Sequence, residues 1–218
     1  MTKSQSQQNV TVFDGASLHA AVEVLSERLG RRLTIDYPKL KLRADEVRAS
    51  AGWQPATISA ILLSIDPDSE GQQRFQTMLR HAGFEPDLSH YRDAFVSLPP
   101  GRSPNEASGK SIVSFAARIA YIAGLMVRHP EPHVLVVSHS FELCGPLSDL
   151  AHRIPSAKVG IAYFASLIDF RWKAAGLLDG KSPVTFFDLD AHGKELLGVN
   201  LTGGSGVLLD AKGGLSRF

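Results

Sequence analysis

Short apolar runs rich in β-branched residues, alternating with helical stretches, constrain this chain more than anything else in it. Val10-Thr11-Val12-Phe13 and residues 58–65, 133–137, 158–164 and 184–187 have strand composition, and residues 95–98 add a shorter candidate. Between them lie segments of helical period. Residues 16–29 carry Leu18, Ala21, Val22, Leu25 and Leu29 on one face and close at Gly30. Residues 70–82 put Phe75, Met78 and Leu79 inward and stop at Gly83. Residues 111–128 are apolar around most of the helix circumference, and residues 141–153 and 166–178 complete the helical set. A chain that alternates strand and helix builds βαβ crossovers and a parallel sheet. The run at 133–137 is unbroken after His133, as a central strand covered on both faces requires. The expected fold is therefore a three-layer α/β/α domain around a mostly parallel sheet.

Composition narrows the setting. The chain has 218 residues and a net charge of +1, so it carries no general positive field of the kind that coats DNA. Cys144 is the single cysteine, which excludes an internal disulfide and a cysteine-based zinc site. The first nine residues lack the apolar core of a signal peptide, and no apolar run approaches the length of about 18 residues that spans a membrane. A cytoplasmic location is expected. Residues 1–8 read as a disordered tail and residues 9–190 as the domain. Residues 191–218 break the rhythm: Val199-Asn200-Leu201 and Val207-Leu208-Leu209 flank a glycine-rich stretch, which fits a terminal hairpin or a flexible tail.

In a parallel α/β sheet, ligands bind beyond the carboxyl ends of the strands. The residues standing there are Asp14 and Ser17, then Asp66 and Asp68, then Ser138, His139, Ser140 and Glu142, and finally Asp188 and Asp190. Carboxylates converging from separate strands can hold Mg²⁺ or Mn²⁺, which generates hydroxide and offsets charge on a phosphodiester. The same residue types also serve as helix caps and turn formers, and Asp66-Pro67-Asp68-Ser69 suits capping better than catalysis.

The order of these segments resembles the NYN domain, the LabA-like branch of the PIN-like nucleases, over residues 9–190. The resemblance is carried by Val-Thr-Val-Phe-Asp-Gly-Ala-Ser-Leu (10–18), by the helix and turn within 66–84, and by the helix starting at Lys110. Val-Leu-Val-Val-Ser-His-Ser-Phe-Glu-Leu-Cys-Gly-Pro-Leu (134–147), residues 158–164 and Phe-Phe-Asp-Leu-Asp (186–190) complete it. It implies a PIN/NYN-like, Rossmann-like fold and a metal-dependent ribonuclease. Asp14, Glu142, Asp188 and Asp190 would be its catalytic acids, with Asp14, Glu142 and Asp188 around one Mg²⁺ or Mn²⁺. Ser17, Lys110, Ser138, His139 and Ser140 would bind or orient the RNA. The acidic set is degenerate. Ser17 stands where the family has Asn, no acid follows Lys110, and Glu142 alone remains in the Ser138 motif. A catalytically inactive module that binds nucleic acid or a protein partner, or pairs as a homodimer, is the second reading.

Two further patterns remain open. Ser140 after a strand resembles the nucleophile elbow of α/β-hydrolases, with Asp169 or Asp188 and then His192 in the right chain order. Glu142, however, stands where that strained turn needs a small residue. Arg31, Arg32, Lys39, Lys41 and Arg43 cluster after the first helix and can be read as a nucleic-acid contact or as a solvated face. Trp53 and Trp172 can stack on bases or pack in the core.

Overall fold

The structure is a computed structural model that describes residues 9–63, 69–87, 124, 131–168, 171–174, 182–201, 208–209 and 215–216. Its centre is a parallel sheet of six strands in the order β3-β2-β1-β4-β5-β6. The strands are β1 (Asn9–Asp14), β2 (Ile58–Leu62), β3 (Glu85–Asp87), β4 (His133–Val137), β5 (Lys158–Tyr163) and β6 (Val184–Asp188). The helices are α1 (Gly15–Leu29), α2 (Tyr37–Ser50), α3 (Glu70–His81), α4 (Cys144–Arg153), α5 (Arg171–Ala174) and α6 (Gly193–Leu197). The expected three-layer α/β/α class is the observed one.

Strand alternation sorts the core into two halves. Phe13, Ile61, Leu135, Val137 and Ala162 face one side, where they meet Leu18, Val22 and Leu25 of α1, Leu40 and Ala44 of α2 and Leu79 of α3. Val10, Val12, Val134, Val136, Val159 and Ile161 face the other, against Leu147 and Ala151 of α4 and Trp172 of α5. With β1 to β3 laid outward on one side and β4 to β6 on the other, the strand order reverses between β1 and β4. Those two strands pair in register from Asn9↔His133 to Phe13↔Val137. Their carboxyl ends flank the crevice where open α/β sheets bind ligands.

Two glycines answer to close approach. A Cβ on Gly15 would lie 2.7 Å from the Leu62 carbonyl oxygen, so α1 starts tightly against β2 only because Gly follows Asp14. A Cβ on Gly160 would lie 2.8 Å from the Phe187 ring and 2.9 Å from that of Trp53. Gly160→Ala is expected to cost about 1–3 kcal/mol through overpacking, read as a lower denaturant midpoint with an unchanged slope.

Several elements differ from expectation. Helix α2 was not legible. Its buried residues are Tyr37, Leu40, Ala44 and Arg48, a stripe in which one member is small and another charged. The signals that mark it are the Asp36 cap, whose carboxylate accepts from the Lys39 amide at 3.1 Å, and a proline in the first turn. β3, with the sequence Glu-Pro-Asp, carries no strand signal of its own either. Within the expected 166–178 helix, the described residues form a 3₁₀ turn, Ala165–Leu167, an extended residue at Ile168 and α5, Arg171–Ala174, the others lying outside the described residues. Residues 191–201 do not form a tail or hairpin: Leu196, Leu197, Val199 and Leu201 are buried in the core on the α1 side. Beyond them, Leu208–Leu209 pairs antiparallel with Leu215–Ser216. The expected tail at 1–8, strand at 95–98 and helix at 111–128 lie largely or wholly outside the described residues.

Candidate functional site

Asp14 ends β1 and caps α1. It is 1% exposed, and both carboxylate oxygens accept hydrogen bonds. The Ser17 amide donates to Oδ1 at 3.2 Å, and the Ser138 hydroxyl donates to Oδ2 at 2.8 Å. Ser138, at the end of β4, thus bridges the two strands across the switch point. Its Oγ also accepts from the Ser140 amide at 3.0 Å, and Ser17 Oγ accepts from the His139 amide at 3.1 Å. The two serine oxygens are 3.0 Å apart. The loop after β4 is therefore pinned to the N-terminus of α1 by one carboxylate and two hydroxyls.

His139 leaves the crevice. Its Nε2 accepts from the Phe164 amide at 3.0 Å, and its ring stacks on Phe164 at 5.6 Å between centroids. That bond places the ring proton on Nδ1, which is sealed from solvent with no hydrogen-bond partner among the described residues. The residue keeps partial exposure, but its Nδ1 does not, so an added charge there would be cut off from water. Burial pushes its pKa down to about 4, against a smaller opposing pull from Asp14. It is neutral at physiological pH.

Glu142 is claimed by a cation. Arg171 Nη1 donates to Oε1 at 2.9 Å and Ser140 Oγ donates to Oε2 at 3.1 Å. Burial opposes the charge, but the glutamate's own backbone N–H, Arg171 and Ser140 outweigh it and hold the carboxyl below its usual range. The Arg171 guanidinium also lies over the Phe141 ring, 4.8 Å from its centroid.

Asp188 and Asp190 serve the turn after β5. Phe164, Ala165 and Ser166 offer three successive amides: the first goes to His139, the second to Asp188 Oδ1 at 3.2 Å, the third to Asp190 Oδ2 at 2.9 Å. Asp188 Oδ1 also accepts from the Asp190 amide at 2.8 Å, and Asp190 Oδ1 from the Ser166 hydroxyl at 3.1 Å. Burial, followed by the Asp188 charge, raises the Asp190 pKa to about 6.

The crevice therefore gathers Asp14, Ser17, Ser138 and the His139 and Ser140 amides, with Ser140, Glu142 and Arg171 at its rim. Asp188 and Asp190 are committed to a different turn. Among the described residues, no group of three or more His, Cys, Asp or Glu side chains is placed to hold a metal ion. Lys110, Asp66, Asp68 and Asp169 lie outside the described residues.

The hydrolase pattern is corrected. Ser140 Oγ donates to Glu142, not to an imidazole, so it lacks the base that would activate it. The tryptophans are core residues: Trp172 is fully buried against Tyr163 and Phe186, and Trp53 packs on Phe187 and His133. Within the basic cluster, Lys39 pairs with Asp36, Lys41 with Asp45, and Arg43 with Glu46 and Glu195, so much of that charge is already neutralised. Arg171 was missed by sequence reading, since nothing local marks an arginine that reaches a glutamate 29 positions away.

No family model and no curated protein matches the chain. A crystal structure of a protein of unknown function from Vibrio parahaemolyticus is similar, with a TM-score of 0.55 at 15% identity, covering 89% of this chain and 99% of that one. At that identity the likeness concerns the fold alone. Among the described residues, no helix is long and apolar enough to cross a membrane.

Proposed function

We propose that this protein is a PIN/NYN-like module that binds RNA at the β1–β4 crevice without cutting it by a metal-dependent route. The observation that carries this reading is how its carboxylates are used. Both oxygens of Asp14 receive donors, from Ser17 in the first turn of α1 and Ser138 after β4, Glu142 is held by Arg171 and Ser140, and Asp188 and Asp190 cap the turn after β5. A divalent ion needs several oxygen ligands at one point, and this donor set does not fit one. What the rim offers is polar groups and a platform. The Ser17 and Ser140 hydroxyls line it, and the Arg171 guanidinium lies over the Phe141 ring, 4.8 Å from its centroid, a cation–aromatic pair of the kind that meets phosphates and bases. That platform favours nucleic acid over a protein partner.

Fluorescence anisotropy with single-stranded RNA, in Mn²⁺ and in EDTA, tests the proposal. Binding is expected to be saturable and equal in both, with the RNA intact. Arg171→Gln should weaken it several-fold and lower the log–log salt slope by about 1, because one phosphate contact is lost. Mn²⁺-dependent cleavage that Asp14→Ala abolishes would restore the nuclease reading. Failure to bind any RNA would remove both.

A further inference from the structure

A second cleft, away from the switch point, has an unbalanced charge. It lies between the last turns of α1 and the α6 segment and has a volume of about 450 Å³, within the usual range for small-molecule sites. Its floor is apolar, formed by Leu25, Leu167, Val199 and Leu201, all buried, with Leu29 at the rim left 45% exposed. Its charged lining residues are Arg28, Arg31 and Lys194, and no carboxylate lines it. None of its lining residues belongs to the β1–β4 crevice.

Three cations around one concavity repel each other, whereas many cations elsewhere on the described surface are matched by an acid, Arg32 and Lys158 being exceptions. Lys39, Lys41, Arg43, Arg74, Arg153 and Arg171 each pair with a carboxylate. Arg28 and Lys194 have no ion pair among the described residues, and Arg31 gives one Nη2–H to the Gly198 carbonyl at 3.2 Å. The position one turn before Arg28, where an acid would neutralise it, holds Val24. The α1 dipole accounts for a cation at Arg28 but not for Lys194 on another helix. An unexplained triad of cations over an apolar floor is complementary to a ligand with an anionic head and an apolar body.

We infer that this cleft binds a small organic anion. A carboxylate or phosphate monoester head sits among Arg28, Arg31 and Lys194, and an apolar body lies along Leu25, Leu29, Leu167 and Val199. The assignment is independent of the RNA reading.

Amide chemical-shift titration of the full chain with octanoate, octyl phosphate, inorganic phosphate and 1-octanol tests it. Octanoate or octyl phosphate is expected to give saturable shifts at Leu29, Ser166 and Val199, and the tighter of the two identifies the head group. The Arg28→Gln/Lys194→Gln double variant should weaken that ligand about tenfold or more, since charge-assisted bonds are lost. Its melting temperature should not fall, because both side chains are exposed and their loss relieves like-charge repulsion. Octanol binding as tightly as the anions, inorganic phosphate matching them, or an unchanged affinity in the double variant would each overturn the assignment. So would a single-stranded RNA that shifts the same amides with the same sensitivity to the double variant, which would make the cleft part of a nucleic-acid surface.

Discussion

Arg48→Met is expected to destabilise the fold by about 3–5 kcal/mol, because it strands several buried carbonyls at once. Arg48 has no exposed surface, and its guanidinium serves three separate pieces of chain. Nη1 donates to the Val10 carbonyl at 3.0 Å, Nη2 to that of His133 at 3.3 Å and Nε to that of Gln54 at 3.0 Å. Val10 is in β1, His133 opens β4 and Gln54 leads into β2, so one side chain ties the amino-terminal edge of the three central strands. The Trp53 ring lies 5.7 Å away and covers it. Burial lowers the Arg48 pKa to about 10, against a smaller opposing pull from Asp45, which leaves it charged at neutral pH. Methionine fills the stem's volume but donates nothing. Lysine keeps the charge but has no planar fork, so Arg48→Lys should recover less than half of the loss. Urea unfolding measures both. A midpoint for Arg48→Met within about 1 kcal/mol of wild type would show that water or neighbouring groups satisfy those carbonyls. The edge concerned is opposite the crevice, so RNA affinity of the folded fraction should not change.

Arg48 also shows where sequence reading stops. The strands at 10–13, 133–137 and 158–163 were legible because burial on both faces forces continuous apolar runs, which few other elements need. Helix α2 was not, because its inward stripe replaces an apolar residue with an arginine whose partners lie 6, 38 and 85 positions away. At the site, position was legible and role was not. Asp14, Ser138 and Glu142 do stand beyond strand ends, but an aspartate that caps a helix and one that binds a metal look alike in sequence. What separates them is which donors arrive. Asp188 and Asp190 receive the Ala165 and Ser166 amides because the chain turns there in a 3₁₀ loop rather than continuing as the expected helix. That turn depends in part on His139 contributing its acceptor from 25 positions away, which no local pattern encodes.

The same turn sets up opposing pH dependences. His139 has a folded pKa of about 4, below its ordinary value of 6.5, so between those pH values the unfolded chain binds more protons. Its contribution makes stability fall as pH drops through that window, by about 3 kcal/mol in full. Asp190 works the other way. Its folded pKa of about 6 exceeds 3.8, so between them the folded chain binds more protons and stability falls as pH rises. Solvent still reaches this partly buried carboxyl and screens it, so its term is the smaller. His133, whose pKa is lowered first by burial, adds to the His139 term and persists in either variant. Wild type should therefore lose only moderate stability between pH 6.5 and 4. Asp190→Asn removes the opposing term and should steepen that loss. His139→Gln, whose side-chain oxygen can still accept from the Phe164 amide, should flatten it. Urea midpoints taken every half pH unit separate the three proteins. Parallel profiles for wild type and His139→Gln would mean that the imidazole reaches solvent and takes its proton near 6.5, and the sealed Nδ1 would then be no part of the acid response.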